Sequence, residues 1–277
     1  MNIATFTPSA CTKCETCIIH HRAVCRAAGP HVLAEFNTIS RLRHFERGQT
    51  IMAKGDEATI VGNVVEGIVK LENDAADGTL QIVGLLYPSD FFGRVFADNV
   101  RFTYEAATDV TLCCMDRLAF EGILARHPEI EHELLVATLD ELDAMRDWVA
   151  LNNCRTTMER VAALLYTLAR RSTNQTCSER EATPHPIISI PISRQDVAAY
   201  LGTTRETLSR NIQTLVRKGV VNMLDPNHLE LVDEAALYKY AGEPDEDLLH
   251  LEAGNPDCPD LADESLTDIV SHFTGRD

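Results

Sequence analysis

Residues 193–215, Ser-Arg-Gln-Asp-Val-Ala-Ala-Tyr-Leu-Gly-Thr-Thr-Arg-Glu-Thr-Leu-Ser-Arg-Asn-Ile-Gln-Thr-Leu, constrain this chain more than any other stretch. Ser193 with Asp196 caps a first helix, Leu201-Gly202 breaks it, and Thr203 with Glu206 reads as a capping box that opens a second. Two short helices joined by a glycine-containing turn form a helix-turn-helix pattern. A short strand over residues 187–192 precedes it. Residues 220–223, a turn at Asp225-Pro226-Asn227 and residues 228–232 then complete a two-stranded wing.

Such a unit meets nucleic acid with the start of its second helix, where side chains reach base edges in the major groove. Those positions hold Thr204, Arg205, Glu206, Ser209 and Arg210. Arginine donates bidentately to guanine, glutamate accepts from cytosine N4, and serine serves either base. Arg194 and Lys218 are placed to contact phosphate. The plainer reading is that Glu206 caps the helix and pairs with Arg210, four residues on, on a solvated face. The net charge of −17 weighs against nucleic acid at first sight, because phosphate repels an acidic surface. Its distribution reverses that inference. Much of the acid lies after Tyr240, where Glu243, Asp245, Glu246, Asp247 and further acidic residues face only Arg276, whereas residues 192–223 form a basic island.

Upstream, residues 32–117 read as short strands separated by turn signals, with Asp77-Gly78 marking a hairpin. That spacing suits a small β-roll or barrel. Pro128 opens a long helical pattern to about residue 151 that carries two apolar stripes. Ile130, Leu134, Ala137, Ala144, Trp148 and Leu151 mark one face, which can cover the roll. Leu135, Leu142 and Val149 repeat every seven residues, with Met145 beside them. Heptad spacing favours a partner helix from a second subunit, against the alternative of a helix buried on two sides within one chain. A second amphipathic helix spans 156–171, and residues 172–186 read as a loop.

Nine cysteines are many for a chain with no secretory signal and no apolar run long enough to span a bilayer. The protein is therefore expected in the cytoplasm, with no membrane partner. Cys11, Cys14, Cys17 and Cys25 crowd the N-terminus, Cys113 and Cys114 are adjacent, and Cys154, Cys177 and Cys258 are scattered. In a reducing compartment clustered cysteines point to metal or redox chemistry rather than disulfides. Four thiolates can hold an iron–sulfur cluster or bind zinc tetrahedrally, and the residues alone leave both open. His20 and His21 read as surface residues near the site, and Cys114, alternating away from Cys113, as core. The chain has no Walker loop, GxSxG or HExxH motif, and an enzyme is not expected.

Arg-Glu-Thr-Leu-Ser-Arg at 205–210 resembles the Glu-x-x-Ser-Arg recognition signature of the FNR branch of the CRP/FNR superfamily of transcription regulators. The order of roll, long helix and winged helix follows the same family. Cys-Glu-Thr-Cys-Ile-Ile-His-His-Arg-Ala-Val-Cys at 14–25 and Leu-Cys-Cys-Met-Asp-Arg at 112–117 resemble its alphaproteobacterial FnrL subgroup. The resemblance implies an α+β fold. An N-terminal β-roll of the cyclic-nucleotide-binding, jelly-roll type is followed by a long dimerisation helix and a C-terminal winged helix-turn-helix. Residues 1–30 would be the cluster-binding segment, 31–126 the roll, 127–152 the dimerisation helix, 153–240 the DNA-binding domain and 241–277 an acidic tail.

By the same resemblance, Cys14, Cys17, Cys25 and Cys113 would ligate one [4Fe–4S] cluster per subunit, with a register through Cys11, Cys14 and Cys17 as the alternative. Glu206, Ser209 and Arg210 would read a TTGAT-type half-site of a palindrome, and RNA polymerase would be a partner. The expected activity is oxygen-responsive control of genes for anaerobic or microaerobic metabolism; nitric oxide or another small effector is the alternative signal. Two departures stand out. Arg94 follows Gly93 where cyclic-nucleotide receptors carry a Gly-Glu pair, which argues against a nucleotide ligand. Met145 occupies the interface position where enterobacterial relatives place an acidic residue that opposes dimerisation.

Overall fold

The structure, a computed structural model, describes residues 14–74, 80–153, 156–175 and 186–242. Cys11, the Asp77-Gly78 turn, Cys154, Cys177, Cys258 and the acidic tail from residue 243 lie outside the described residues.

Two 3-10 turns, Cys14–Thr16 and Val24–Ala27, lead into helix α1, Pro30–Ile39. The sequence places the roll from residue 31 and no helix here. Yet Pro30 sits in the first turn, where its missing N–H costs nothing, and Val32, Leu33 and Phe36 recur at helical spacing and are buried. The roll follows as β1 (Ser40–Phe45), β2 (Thr50–Met52), β3 (Ile60–Glu66), β4 (Val69–Asp74), β5 (Leu80–Leu86), β6 (Phe91–Phe92), β7 (Thr103–Ala106) and β8 (Val110–Asp116). Its two antiparallel sheets run β1-β8-β3-β6 and β2-β7-β4-β5. Phe45, Val64, Val69, Phe92, Leu112 and Cys114 are among the side chains buried in its core.

Helix α2, Arg117–Leu124, was not expected either. Asp116 caps it by accepting from the backbone N–H of Ala119 at 2.8 Å, and Phe120, Ile123 and Leu124 are buried. Helix α3 spans Pro128–Asn153, close to its expected limits. The first part of its inward stripe behaves as expected, with Ile130 and Leu134 buried beside α1 and α2 and Ala137 partly so, whereas Trp148 farther along packs on the core of the C-terminal unit. Helix α4, Thr157–Gln175, runs past residue 171, so residues 172–175, expected in a loop, are helical, and the rest of the expected loop to 185 lies outside the described residues.

The C-terminal unit contains β9 (Ile187–Ser189), α5 (Arg194–Tyr200), α6 (Arg205–Arg217), β10 (Val221–Met223), β11 (His228–Leu231) and α7 (Glu234–Tyr240). The expected strand over 187–192 stops at Ser189. It joins β10 and β11 in a three-stranded wing ordered β10-β11-β9. Ile68 and Ala107 of the roll belong to the same apolar core as α4 to α7, so roll and C-terminal unit share a packed boundary.

Candidate metal centre and nucleic-acid interface

Three cysteines of the N-terminal segment, Cys14, Cys17 and Cys25, meet Cys113 of the distant strand β8 at one pocket, open in part to solvent and lined also by Ser40 and Asn63. Local structure explains each position. The backbone N–H of Cys14 donates to Asn37 Oδ1 of α1 at 2.8 Å. The N–H of Cys17 donates back to the carbonyl of Cys14 at 3.3 Å, so the Cys-x2-Cys segment wraps into a turn. Cys25 lies in the second 3-10 turn, which Val24 anchors in the core shared with α1, α2 and α3. Cys113 comes from β8, where alternation sends Cys114 to the opposite face and into the roll core, as the sequence suggests.

The register is held tightly at Cys113. A Cβ on Gly62 would stand 1.8 Å from the Cys113 carbonyl oxygen, so β3 approaches β8 here as only glycine allows. Asn63 pairs with Cys113 across the two strands and is buried, and its Oδ1 has no hydrogen-bond partner. Sequence reasoning missed Asn63, although a lone amide inside Ile-Val-Gly-Asn-Val-Val was the available signal. His20 is half-buried, with Nε2 enclosed and unpartnered, whereas the sequence places it on the surface; His21 is exposed.

Burial, and after it the neighbouring Cys113, Cys17 and Cys14 thiols, push the Cys25 thiol up to about 12. Holding four thiolates here requires positive charge among them, because sulfur ligates metal as thiolate. Donor type and convergence therefore fit a thiolate-ligated metal group, an iron–sulfur cluster among them. Among the described residues no group of three or more His, Cys, Asp or Glu is arranged to hold a single metal ion.

The cysteine segment touches α3 directly. Arg26, next to Cys25, pairs through Nε with Glu133 Oε2. From α1, Glu35 accepts from Arg126 and pairs with His127 at 3.0 Å, just before α3 begins. Leu135, Leu139, Leu142, Met145 and Val149 then stand 41 to 54% exposed along one face of α3. Four of these five are the residues expected at a dimer interface, and Leu139 extends the stripe.

In the helix-turn-helix, Ser193 Oγ accepts from the N–H of Asp196 at 3.0 Å, the cap expected for α5. Gly202 turns the chain at φ 58°, and Arg160 of α4 holds that turn by donating to the Leu201 carbonyl at 2.8 Å. The second cap is one residue later than expected. Thr204, not Thr203, accepts from Thr207 N–H at 3.2 Å, and Glu206 is not part of a capping box. Leu208, Ile212 and Leu215 bury the inner face of α6. Arg205, Glu206 and Arg210 are exposed on the outer face, Ser209 is half-buried, and Lys218 is exposed beyond the last turn. Glu206 and Arg210 form no ion pair, so both are free for a ligand.

Arg194, expected to contact phosphate, has a partner within the fold. Its Nη2 donates to the Pro226 carbonyl at 2.6 Å, tying α5 to the wing turn, and burial lowers its basicity.

Residues 42–127 match the family described as a cyclic nucleotide-binding domain, and residues 159–240 match the Crp-like helix-turn-helix domain. The transcriptional activator protein FnrL of Cereibacter sphaeroides is 38% identical over 85% of this chain and 94% of its own length. The nitrogen fixation regulation protein FixK of Bradyrhizobium diazoefficiens is 32% identical over 80% of this chain and 94% of its own. Among solved structures, FixK2 from Bradyrhizobium japonicum superposes with a TM-score of 0.65 at 26% identity, over 73% of this chain and 97% of that one. A CRP-family regulator from Thermus thermophilus, 24% identical with a TM-score of 0.59 over 72% of this chain and 96% of its own, shares the fold. Roll, long helix and winged helix-turn-helix thus occur in one order in chains matched over nearly their whole length, and this chain belongs to the CRP/FNR family of transcription regulators.

Proposed function

We propose that this chain is a cytoplasmic, oxygen-responsive transcription regulator that binds a TTGAT-type palindrome as a homodimer. Cys14, Cys17, Cys25 and Cys113 would hold one [4Fe–4S] cluster per subunit. The observation that carries this reading is the convergence of those thiols on one pocket whose wall is tied to α3 by the Arg26–Glu133 pair. When bound, the cluster supplies iron that takes thiolates as ligands and that oxygen can attack. The chain's own residues do the rest. Ligation would fix Cys25 and the turn carrying Arg26, and Arg26 would hold α3 at Glu133, two residues before the exposed stripe begins at Leu135.

On the DNA side, Glu206, Ser209 and Arg210 would read base edges, with Thr204, Arg205 and Lys218 beside them. Curated relatives named as transcriptional activators support positive control, and hence RNA polymerase as a partner. No described helix is long and apolar enough to cross a membrane. The test is binding of the anaerobically purified protein to a TTGAT palindrome and to a scrambled duplex, before and after air. Tight binding to the palindrome that air abolishes supports the reading. Binding indifferent to air leaves a regulator whose cysteines do not sense oxygen.

A further inference from the structure

Outside both sites, a single lysine joins the sensor roll to the DNA-reading unit. Lys70 of β4 is nearly enclosed, and its ammonium lies 2.7 Å from Glu72, 2.9 Å from Glu105 and 3.0 Å from Asp196. The ammonium donates to Asp196 Oδ1, and the Glu72 and Glu105 carboxylates stand within ion-pair distance beside it. Glu72 and Glu105 belong to the roll, whereas Asp196 belongs to α5. Burial works against the Lys70 charge, but its hydrogen bonds to Glu72, Glu105 and Asp196 outweigh it and hold the ammonium above its ordinary range.

Asp196 is also fixed from its own side, because Ser193 Oγ donates to its Oδ2 at 2.5 Å while capping α5. The pair therefore connects two rigid elements rather than two mobile side chains. Around it, α5 packs on β5, and Leu85 and Tyr87 meet Val197 and Tyr200. At the far end of α5, Tyr200 stacks on Trp148 of α3, with ring centres 3.9 Å apart and planes 9° from parallel. In this pose the reading edge of α6 stays open, since Arg205, Glu206 and Arg210 are exposed.

We propose that Lys70 and Asp196 are positioning residues: their ion pair locks the helix-turn-helix onto its own roll, so that two reading helices keep the fixed separation a palindrome requires. This rests on the DNA-binding reading of α6. A reader free to swivel loses orientational entropy on engaging two half-sites at once, and the lock removes part of that loss before binding. A single half-site makes no such demand.

Trp148 is the only tryptophan in the chain and reports directly on the seat of α5. The experiment compares wild type, Asp196→Lys, Asp196→Ala and the charge exchange Lys70→Glu/Asp196→Lys, with thermal unfolding as a check on folding. Both single variants leave the roll's own Lys70 contacts to Glu72 and Glu105 in place. They are expected to red-shift Trp148 emission, to raise its quenching by acrylamide, and to weaken palindrome binding roughly three- to thirtyfold. Loss on a duplex with one half-site should be smaller, and the exchange should restore emission and affinity. Unchanged emission and affinity in both single variants would overturn the lock. So would equal losses on one and two half-sites, tighter binding, or failure of a folded exchange variant to recover. If wild type binds neither duplex, the DNA reading fails instead, and the emission data still judge the ion pair.

Discussion

Replacing Met145 by glutamate should convert a persistent dimer into a monomer. Met145 is 48% exposed in a stripe that continues through Leu135, Leu139, Leu142 and Val149. Full burial of such a side chain contributes about 1.5–3 kcal/mol, so covering the remaining half contributes about 0.7–1.5 kcal/mol per copy. Taking an unpaired polar group out of water costs about 1–3 kcal/mol more per copy. Counted for both subunits, Met145→Glu weakens association by about 3–9 kcal/mol, and at about 1.4 kcal/mol per tenfold this is at least about a hundredfold. The wild-type stripe, carrying Met145 and not an acid, should keep much of the protein dimeric after air. Oxygen would then act through the pose of the DNA-reading units. Sedimentation velocity at micromolar concentration, anaerobic and air-exposed, measures both effects. A clean shift of wild type to monomer in air, or a Met145→Glu protein that sediments as wild type, would refute this account of the interface.

Arg210→Ala should lose roughly 1–3 kcal/mol of discrimination between operator and scrambled duplex, measured by anisotropy across a salt series. Equal loss on both would make Arg210 a phosphate clamp. Arg194→Ala should act through the wing, because its partner is the Pro226 carbonyl. Faster amide exchange in β10 and β11 is expected, and a salt slope lowered by about one unit with an unchanged wing would return Arg194 to phosphate. Hydrogen bonds from Arg126 and then His127 hold the Glu35 carboxyl below its ordinary value. A depressed carboxylate contributes stability that is present above its unfolded value and lost as pH falls through the folded one. Thermal unfolding of Glu35→Gln should therefore be less acid-sensitive than wild type below about pH 4.5, and parallel curves would contradict this.

The features legible in sequence were those with a strong local period or a fixed spacing. The two stripes of α3 divide in the structure as their spacing implies, with Ile130 and Leu134 inward and Leu142 and Val149 outward. The helix-turn-helix and its wing were readable because Gly202 and the Asp225-Pro226-Asn227 turn punctuate short elements. Helix α1 was missed because its ten residues follow an aperiodic cysteine segment, and α2 because it continues directly from β8. The cap of α6 was misplaced by one residue because Thr203 and Thr204 are chemically alike, and only backbone geometry separates them. The partners of Cys113 were suggested by family resemblance and not by spacing, since β8 lies nearly ninety residues from Cys25. Asn63 showed only as a lone amide in an apolar strand, and Lys70 gave no signal of its role. A polar residue in a strand takes its meaning from what the opposite sheet or the next domain brings to it.

The most direct test of the central claim is the iron and acid-labile sulfide content of anaerobically purified wild type and Cys113→Ser, read with the visible spectrum. The account predicts about four irons and four sulfides per wild-type subunit, as for a [4Fe–4S] group. A straw-brown absorbance should bleach in air, and Cys113→Ser should retain neither. One zinc per subunit without sulfide, or a Cys113→Ser protein that keeps the full absorbance, would contradict it.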